Sequence, residues 1–321
     1  MKSIFIQLAS YHDYELPKTI ADAIDKASGE YQINFGVHHN YYEVDDIELP
    51  DLPNVKIKRS KAPENLGMGI SRVIAHNFYN GEDYYLQVDA HTRFRENWDK
   101  SYIEMLTAYQ AQGFAKPLLT SYPKNYWYEG DEVKADEGWG VTTISFEEDK
   151  ERFMRERVPS QMAWTSPARN VFTRSVSGGS IFTVGPFIKP NPEMHAFGEE
   201  ILIAARAYTN GYDLLIPKQG QLAHLYYNHD NPPNNKRRMV WLDFPALAQS
   251  FEQRGGEELR RIFRENLIGE HHFGTERSLA EFEVFSGLDF ATGIVVDKAL
   301  VAEQRGLSRL EKLSCPVSIN Y

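Results

Sequence analysis

The alternation of short apolar runs with amphipathic segments constrains the fold of this chain more than any other feature of its sequence. Apolar runs of the kind that form buried strands occupy residues 3–8, 32–37, 55–58, 84–88, 117–121, 177–184, 213–216 and 221–226. Segments with a helical spacing of apolar residues lie among them, at residues 17–29, 68–79, 98–109 and 199–208. Strands that alternate with helices predict an α/β fold with a mostly parallel central sheet.

The chain departs from this alternation in two places. Residues 123–175 mix charged, aromatic and glycine residues without periodicity, and we interpret them as an irregular insertion over the site. From residue 236 onward the pattern is mainly helical. We therefore predict one α/β domain over residues 1–235 and a helical C-terminal extension, residues 236–321, that packs on it.

Composition and charge limit the partners of the chain. Hydrophobic residues make up 42% of its 321 residues and charged residues 25%, which is ordinary for a globular protein. The net charge of −10 argues against non-specific attraction to nucleic acid or to an anionic membrane. The single cysteine, Cys315, excludes an intrachain disulfide and a thiolate metal cluster. We see no secretory signal and no run of transmembrane length, so we predict a cytoplasmic protein without a membrane partner.

The motif with the clearest chemistry is LQVDAHTRFRENWD, at residues 86–99. An apolar strand delivers Asp89 and His91 at its carboxyl end, where the functional groups of parallel sheets gather. This carboxylate and imidazole can bind one divalent cation and leave positions open for diphosphate oxygens and water. The same two residues can equally cap a turn and pack without a ligand, and their spacing alone leaves both interpretations open.

A third metal ligand would come from a separate strand, because the ligands of a site in an α/β fold gather from several strand ends. The candidate is His224, which lies in QLAHLYYNHD near the end of a short apolar segment. Its rivals are His229 and the His271–His272 pair, although we expect that pair to be ordinary surface or core histidines.

Two segments in which glycine precedes a predicted helix supply candidate groups for an anion and for a sugar. In APENLGMGISRVIA, residues 62–75, glycines open a helix whose start favours an anion, and Arg72 matches phosphate geometry. This helix has a mainly apolar face that includes Ile70 and Val73, opposite Arg72 and His76. In FGEEILIAARAYTNGYD, Glu199 and Glu200 can bind sugar or acceptor hydroxyls, or they can simply complement the helix dipole. The preceding VSGGSIF segment can let a substrate lie against backbone.

Taken in order, these segments resemble one family, the GT60-type GlcNAc transferases, which include the Skp1-hydroxyproline GlcNAc-transferase. More distantly they resemble the GT27-type polypeptide GalNAc-transferases. The resemblance runs from IFIQLASYHDYELPKTIADAI through NLGMGISRVIA, YYLQVDAHTRFRENWD, LLTSYP, FGEEILIAARAYTNGYD and AHLYY to HHFGTERSLAEFEVFSGLDF. It covers most of the chain and is weakest over residues 123–175. Its specific part is DAHTRF joined to FGEEI and the later histidine.

The resemblance implies a GT-A fold, a divalent cation (Mn²⁺, with Mg²⁺ as the alternative), a UDP-sugar donor and net retention at the anomeric carbon. Asp89 and His91 match the family's Asp-x-His metal motif, and His224 matches its later metal-binding histidine. Ala90 stands where the family usually has serine, which leaves the metal motif intact. The other matched positions are the candidate catalytic residues Arg72, beside the donor diphosphate, and Glu199 and Glu200, beside the sugar and the acceptor, and the nucleotide-binding loop residues Ser10 and Asp13.

The acceptor stays open at the level of sequence. A hydroxyproline, serine or threonine on a protein fits the resemblance, and so does a glycan, with a GlcNAc-like sugar as the first choice. Hydroxymethylated bases of phage-type DNA are the alternative acceptor, for which Lys236–Arg238 and Arg254–Arg264 would contact phosphate. Both basic runs also fit solvated helix faces. An inactive nucleotide-sugar-binding module and a metal-dependent phosphoesterase are further alternatives, and the number of subunits is open.

Overall fold

Strands and helices alternate along the chain as predicted. The computed structural model describes residues 1–136, 141–146, 161–165, 172–195, 198–227 and 237–295. The strands are β1 (Ser3–Tyr11), β2 (Gln32–Tyr41), β3 (Val55–Lys61), β4 (Tyr84–Asp89), β5 (Thr92–Phe94), β6 (Pro117–Thr120), β7 (Lys124–Glu129), β8 (Glu132–Ala135), β9 (Thr142–Phe146), β10 (Gln161–Thr165), β11 (Ser180–Val184), β12 (Asp213–Leu215), β13 (Leu222–His224), β14 (Leu288–Asp289) and β15 (Ile294–Val295). The helices are α1 (Leu16–Asp25), α2 (Met68–His76), α3 (Trp98–Ala111), α4 (Glu199–Thr209), α5 (Val240–Asp243), α6 (Pro245–Glu265) and α7 (Leu279–Ser286).

The central sheet has seven strands in the order β12-β6-β11-β4-β1-β2-β3. Every neighbouring pair is parallel except those of β11, which runs antiparallel to β4 and β6. The predicted α/β class with a mostly parallel sheet is therefore confirmed. Strands β1 and β4 are buried along most of their length, which is why they form nearly continuous apolar runs in the sequence. Ala9 pairs with Asp89, so the carboxyl ends of these two strands meet at one edge.

Helix α2 turns a different face inward from the one its apolar pattern predicts. Its buried residues are small or polar and include Arg72 and His76, whereas Ile70 and Val73 are only partly buried. The reason is that the polar side chains find partners in the interior, as buried polar groups require. Nδ1 of His76 is 2.8 Å from the hydroxyl of Tyr85, and Arg72 contacts acidic residues of the site described below.

A second sheet corrects the prediction that residues 123–175 are irregular. That stretch contains β7, β8, β9 and β10, and the first two join β5 and β13 in a four-stranded sheet of order β5-β13-β7-β8. Strands β7 and β8 form an antiparallel hairpin whose turn contains Gly130, in the left-handed region at φ +63°. These strands are short. Strand β7 combines aromatic with charged residues and β8 has charged residues at alternate positions, so their composition is that of a loop although they form strands.

The sequence predicts a helical extension over residues 236–321; within its described part, residues 237–295, the chain forms α5, α6 and α7, followed by the short β14–β15 pair. Helices α6 and α7 pack on the main core through Ile262, Phe263 and Phe282. The predicted domain boundary at residue 235 lies outside the described residues and stays a prediction, and Cys315 also lies outside them. In the described part of the chain, no helix has the length and apolar character needed to cross a membrane.

A buried acidic group joins α1 to the second sheet. Glu15, which precedes α1, is fully buried, and its carboxylate contacts the guanidinium of Arg93 in β5. It also accepts hydrogen bonds from the hydroxyls of Tyr126 (3.1 Å) and Tyr128 (2.8 Å) in β7. Lys18 adds an ion pair at 2.9 Å. Because Arg93 is itself buried, loss of Glu15 would leave a positive charge inside the protein without its partner.

Replacing Glu15 with alanine is expected to lower the free energy of unfolding by about 3–5 kcal/mol, the cost of breaking a buried ion pair from one side. Lys18→Ala is the matched control. The Lys18 side chain belongs to the same cluster but is 53% exposed, so its removal should cost less than about 1 kcal/mol. Urea denaturation followed by circular dichroism measures both variants, and equal losses would contradict the role assigned to Glu15.

Candidate active site

Three potential metal ligands meet at the carboxyl edge of the central sheet. Asp89 is the last residue of β4, and His91 lies in the turn that leads into β5. His224 is the last residue of β13, which pairs antiparallel with β5 and places it opposite Thr92. The amide of Leu225 also donates to the carbonyl of His91 at 3.1 Å. One potential ligand atom from each of Asp89, His91 and His224 lies within 4.8 Å of the others, so the structure brings the predicted set together.

The chemistry of these side chains suits a cation. Burial alone would raise the pKa of Asp89, but the hydrogen bond with Nε2 of His224 (3.1 Å) and the nearby positive charge of Arg72 hold that pKa well below its usual range. Burial lowers the pKa of His224 to about 4, so this imidazole is neutral at neutral pH and can offer a lone pair. Nδ1 of His91 lies 2.8 Å from Asp13, which leaves Nε2 for a ligand. A carboxylate with two imidazoles is a donor set that Mn²⁺ accepts, among other divalent ions.

Two glycines before β11 let backbone approach the functional side chains closely. A Cβ added at Gly179 would lie 2.5 Å from Oδ2 of Asp89, which is closer than real Cβ contacts. The carbonyl of Gly178 accepts hydrogen bonds from Arg72 at 2.9 Å and from Gln87 at 2.8 Å. The VSGGSIF segment therefore serves close packing around Asp89 and Arg72.

Arg72 lies between two carboxylates and is almost completely buried. Its Nε is 3.1 Å from Oε1 of Glu199, and one of its terminal nitrogens is 3.6 Å from Asp89. Burial raises the pKa of Glu199 to about 7; Arg72 opposes this rise, and the negative charges of Glu200 and Asp89 add to it. Glu199 is therefore partly protonated near neutral pH, which limits the negative charge that this buried cluster carries.

Glu200 has a different environment from its neighbour. Its Oε1 accepts a hydrogen bond from the amide of Gly178 at 2.7 Å, and its Oε2 accepts one from the hydroxyl of Tyr122 at 3.0 Å. The residue is partly exposed, whereas Glu199 is buried. The structure thus divides the predicted acidic pair into a buried partner of Arg72 and a more accessible carboxylate held in a fixed orientation.

A pocket of about 770 Å³, its open mouth included, begins at the carboxyl end of β1. Ser10 and Asn40 line it together with the start of α2, and α5 and α6 contribute Trp241 and Phe251. The ring of His195 stacks on Phe251 at 4.2 Å. Within the described residues, three buried polar atoms of this lining have no hydrogen-bond partner: Oγ of Ser10, Oδ1 of Asn40 and Nδ1 of His195. Since buried polar atoms are normally paired, these three indicate a place for a polar ligand.

The two residues predicted to form a nucleotide-binding loop lie in different places. Ser10 lines the pocket, whereas Asp13 is packed against His91 with only 3% of its surface exposed. Its second oxygen accepts a hydrogen bond from the amide of Glu15 at 2.9 Å. The loop therefore connects the pocket with the metal ligands.

The histidines considered as alternatives to His224, and the two basic runs, make other contacts within the described residues. Nδ1 of His271 is 2.9 Å from the carbonyl of Pro190. Arg238 pairs with Asp243 and stacks on the ring of Tyr42 at 3.9 Å. Among the basic residues of α6, Arg261 pairs with Glu258 at 2.8 Å. His229 and Lys236 lie outside the described residues.

A protein-family model links this geometry to a known class of enzyme. The model described as Glycosyltransferase (GlcNAc) matches residues 50–292, a span that includes Asp89, His91 and His224. The chain belongs to this family. It is therefore a glycosyltransferase, as predicted, and its architecture is of the predicted α/β class with a mostly parallel central sheet. No curated protein is significantly similar to the glycosyltransferase in sequence.

Two solved structures resemble the glycosyltransferase in fold. GalNAc-T7, solved with UDP, GalNAc and Mn²⁺, matches with a TM-score of 0.49 and 13% identity over 85% of this chain and 55% of its own. Residues 1–349 of S. aureus TarS, solved with UDP, match with a TM-score of 0.44 and 11% identity over 97% of this chain and 77% of their own. The glycosyltransferase thus spans about half the length of the GalNAc-T7 chain.

Three residues around the site escape prediction from the sequence. Asn40 lies near the carboxyl end of β2, but the apolar run predicts that this strand ends at Val37. With the correct boundary, the rule that ligands gather at carboxyl strand ends would have selected it. Tyr122 bonds Glu200, and the ring of Tyr226 packs 4.3 Å from that of His224. No local signal separates these two tyrosines from the others.

Gly179→Ala is expected to weaken Mn²⁺ binding by about 10–100-fold, the range for losing a contact that orients a metal ligand. The new methyl group would displace the Asp89 carboxylate. Gly178→Ala is the matched control, because its Cβ would come no closer than 3.3 Å to another atom, a terminal nitrogen of Arg72, and the loss of Mn²⁺ affinity should be clearly smaller. Calorimetric titration with MnCl₂ measures both affinities, and melting temperatures show that both variants fold. Wild-type affinity in Gly179→Ala would contradict a ligand role for Asp89.

Proposed function

We propose that this glycosyltransferase is metal-dependent and transfers a sugar from a UDP-sugar to a hydroxyl group of a protein or glycan. We propose further that the sugar is GlcNAc-like, that the anomeric configuration is retained and that the enzyme is of the GT60 type. The observation that carries the proposal is the meeting of Asp89, His91 and His224 beside a pocket for a polar ligand. The three-residue cluster and the pocket are adjacent, because Ala9 lines the pocket and pairs with Asp89. A nucleoside diphosphate sugar needs both elements, a cation site for its phosphates and a pocket for its nucleoside.

Asp89, His91 and His224 are the residues that would hold the cation. A divalent cation bound there neutralises the negative charge that grows on the leaving diphosphate. Arg72, 3.6 Å from Asp89, adds positive charge on the same side, in keeping with the role that the resemblance implies. The buried carboxylate of Glu199 keeps the guanidinium of Arg72 in place at 3.1 Å.

The pocket beside β1 suits a nucleoside. Trp241 and Phe251 offer aromatic faces to a base. The unpaired Oδ1 of Asn40 accepts hydrogen bonds and suits an imide N–H such as that of uracil, and the hydroxyl of Ser10 can donate or accept.

The transfer exchanges two bonds at the anomeric carbon. The bond to the diphosphate oxygen breaks, and a bond to the acceptor oxygen forms on the same face of the sugar. The leaving phosphate oxygen takes the acceptor proton, so the step requires no base from the protein. Glu200, held by Gly178 and Tyr122, is placed to bind hydroxyls of the sugar or of the acceptor as a positioning group.

A panel of UDP- and GDP-sugars, assayed for hydrolysis and transfer with Mn²⁺ and with chelator, tests this proposal. We expect metal-dependent turnover of one UDP-sugar. Asp89→Ala should lower it on the order of 100-fold or more, because the stabilisation of developing charge is lost. His271→Ala is the matched control, since this histidine bonds a backbone carbonyl outside the ligand set, and it should keep wild-type turnover.

The outcomes of the panel separate the alternatives. A folded wild-type protein that binds no nucleotide-sugar in the presence of Mn²⁺ would overturn the proposal. Binding of a donor without hydrolysis or transfer to any acceptor would identify an inactive nucleotide-sugar-binding module. Turnover of the donor by water alone, with no transfer product, would favour a phosphoesterase.

Ser10→Ala is expected to weaken UDP binding about fivefold, equivalent to roughly 1 kcal/mol for one hydrogen bond, and to leave the stability of the free protein unchanged. The hydroxyl of Ser10 has no partner among the described residues, so its removal breaks no bond within them. Ser60→Ala provides the contrast. Its buried hydroxyl is 3.1 Å from Nε2 of His38, and its loss should lower stability without affecting UDP. Calorimetry with UDP and urea denaturation measure the two effects, and unchanged UDP affinity in Ser10→Ala would remove the nucleoside from this pocket.

A further inference from the structure

Asp13 contacts the ring of His91 at the nitrogen opposite the one left for a cation. Its Oδ2 is 2.8 Å from Nδ1 of His91. We propose that Asp13 is a positioning residue that orients His91 toward the metal and fixes which of its ring nitrogens carries the proton. This inference rests on the proposed function and deepens it. An ionised carboxylate can only accept, so Nδ1 of His91 carries the hydrogen and Nε2 presents its lone pair.

The surroundings of Asp13 leave little room for a direct contact with substrate. The residue is 3% exposed, and its two oxygens face the ring of His91 and the amide of Glu15 (2.9 Å). Ser10, three positions earlier, lines the pocket instead. A nucleotide bound in that pocket would contact Ser10, while Asp13 would act through His91.

The start of α1 also fixes the backbone of the turn that carries His91. The hydroxyl of Thr19 donates to the carbonyl of Ala90 at 2.7 Å and accepts from the amide of Thr92 at 3.0 Å. The carboxylate of Asp13 and the turn that it acts on are therefore attached to the same helix. Such support holds a ligand in its binding geometry before the cation arrives, which raises affinity.

A double-mutant cycle on Mn²⁺ affinity, measured by calorimetry on the full chain, tests the proposal. Asp13→Ala should weaken Mn²⁺ binding by about 10–100-fold, and Asp13→Asn should fall in the same range, because with its single oxygen on the amide of Glu15 its NH₂ group faces Nδ1 of His91 and cannot accept the hydrogen. In the His91→Ala background, Asp13→Ala should change the affinity by less than about twofold, because residues that act through one another are not additive. Asparagine also keeps the acceptor for Glu15, so this variant should fold even if the alanine variant does not.

The matched control is Asp22→Asn, which changes a carboxylate in α1, the helix that follows Asp13. Its Oδ2 accepts from the amide of Phe94 in β5 at 2.6 Å, next to the site but away from the ligands, and the variant should keep wild-type Mn²⁺ affinity. Equal losses from Asp13→Ala in the wild-type and His91→Ala backgrounds would overturn the proposal, and so would wild-type affinity in both Asp13 variants. If the wild type itself bound no Mn²⁺, the proposed metal dependence would fail together with the role of Asp13. Failure of the Asp13 proposal alone would leave Mn²⁺ binding by the wild type intact.

Discussion

The pairing of β5 with β13 is the constraint on which the site depends. His224 is 135 positions from Asp89 in sequence, yet three residue pairs between these short strands place the two side chains within hydrogen-bond distance. The amide of Leu225 extends the pairing to the carbonyl of His91. Because side chains alternate between the faces of a sheet, a shift of one residue would turn His224 away from Asp89. The proposed third ligand is therefore positioned by the backbone hydrogen bonds of the second sheet.

The buried charges at this edge stabilise one another as a group. Asp89, Arg72 and Glu199 are all largely removed from solvent. An isolated ion in such a place would lose hydration free energy on the order of several kcal/mol. Arg72 lies 3.1 Å from Glu199 and 3.6 Å from Asp89, and burial with the nearby negative charges of Glu200 and Asp89 raises the pKa of Glu199 to about 7 although Arg72 opposes the rise. Glu199 thus offsets the positive charge of Arg72 inside the protein. Glu200, which is bonded to a backbone amide and a tyrosine hydroxyl and is partly exposed, is the more accessible member of the pair.

The sequence predicts those parts of the molecule in which local pattern and tertiary structure agree. The central strands are apolar on both faces, so their runs reveal the α/β class and lead directly to Asp89. Asn40 escapes because polar residues extend β2 beyond its apolar run, and a criterion based on hydrophobicity ends the strand too early. The buried side of α2 escapes for a related reason. Arg72 and His76 are buried because their partners lie on other elements, and no spacing within one helix contains that information.

The two halves of the proposed donor site come from parts of the chain under different constraints. Two of the proposed metal ligands, Asp89 and His224, end strands that contribute residues to the main core, so their positions cannot change without disturbing that packing. The far wall of the pocket belongs to α5 and α6, where Phe251 packs in a small separate cluster with Ala62 and Leu66, and Trp241 is 51% exposed. The start of α6 lies outside the main core, which the helix joins further along at Ile262 and Phe263, so this wall is the less constrained half of the proposed site. If the proposed donor site is correct, substitutions in the C-terminal helices would change the choice of nucleoside while the sheet keeps the cation ligands in place.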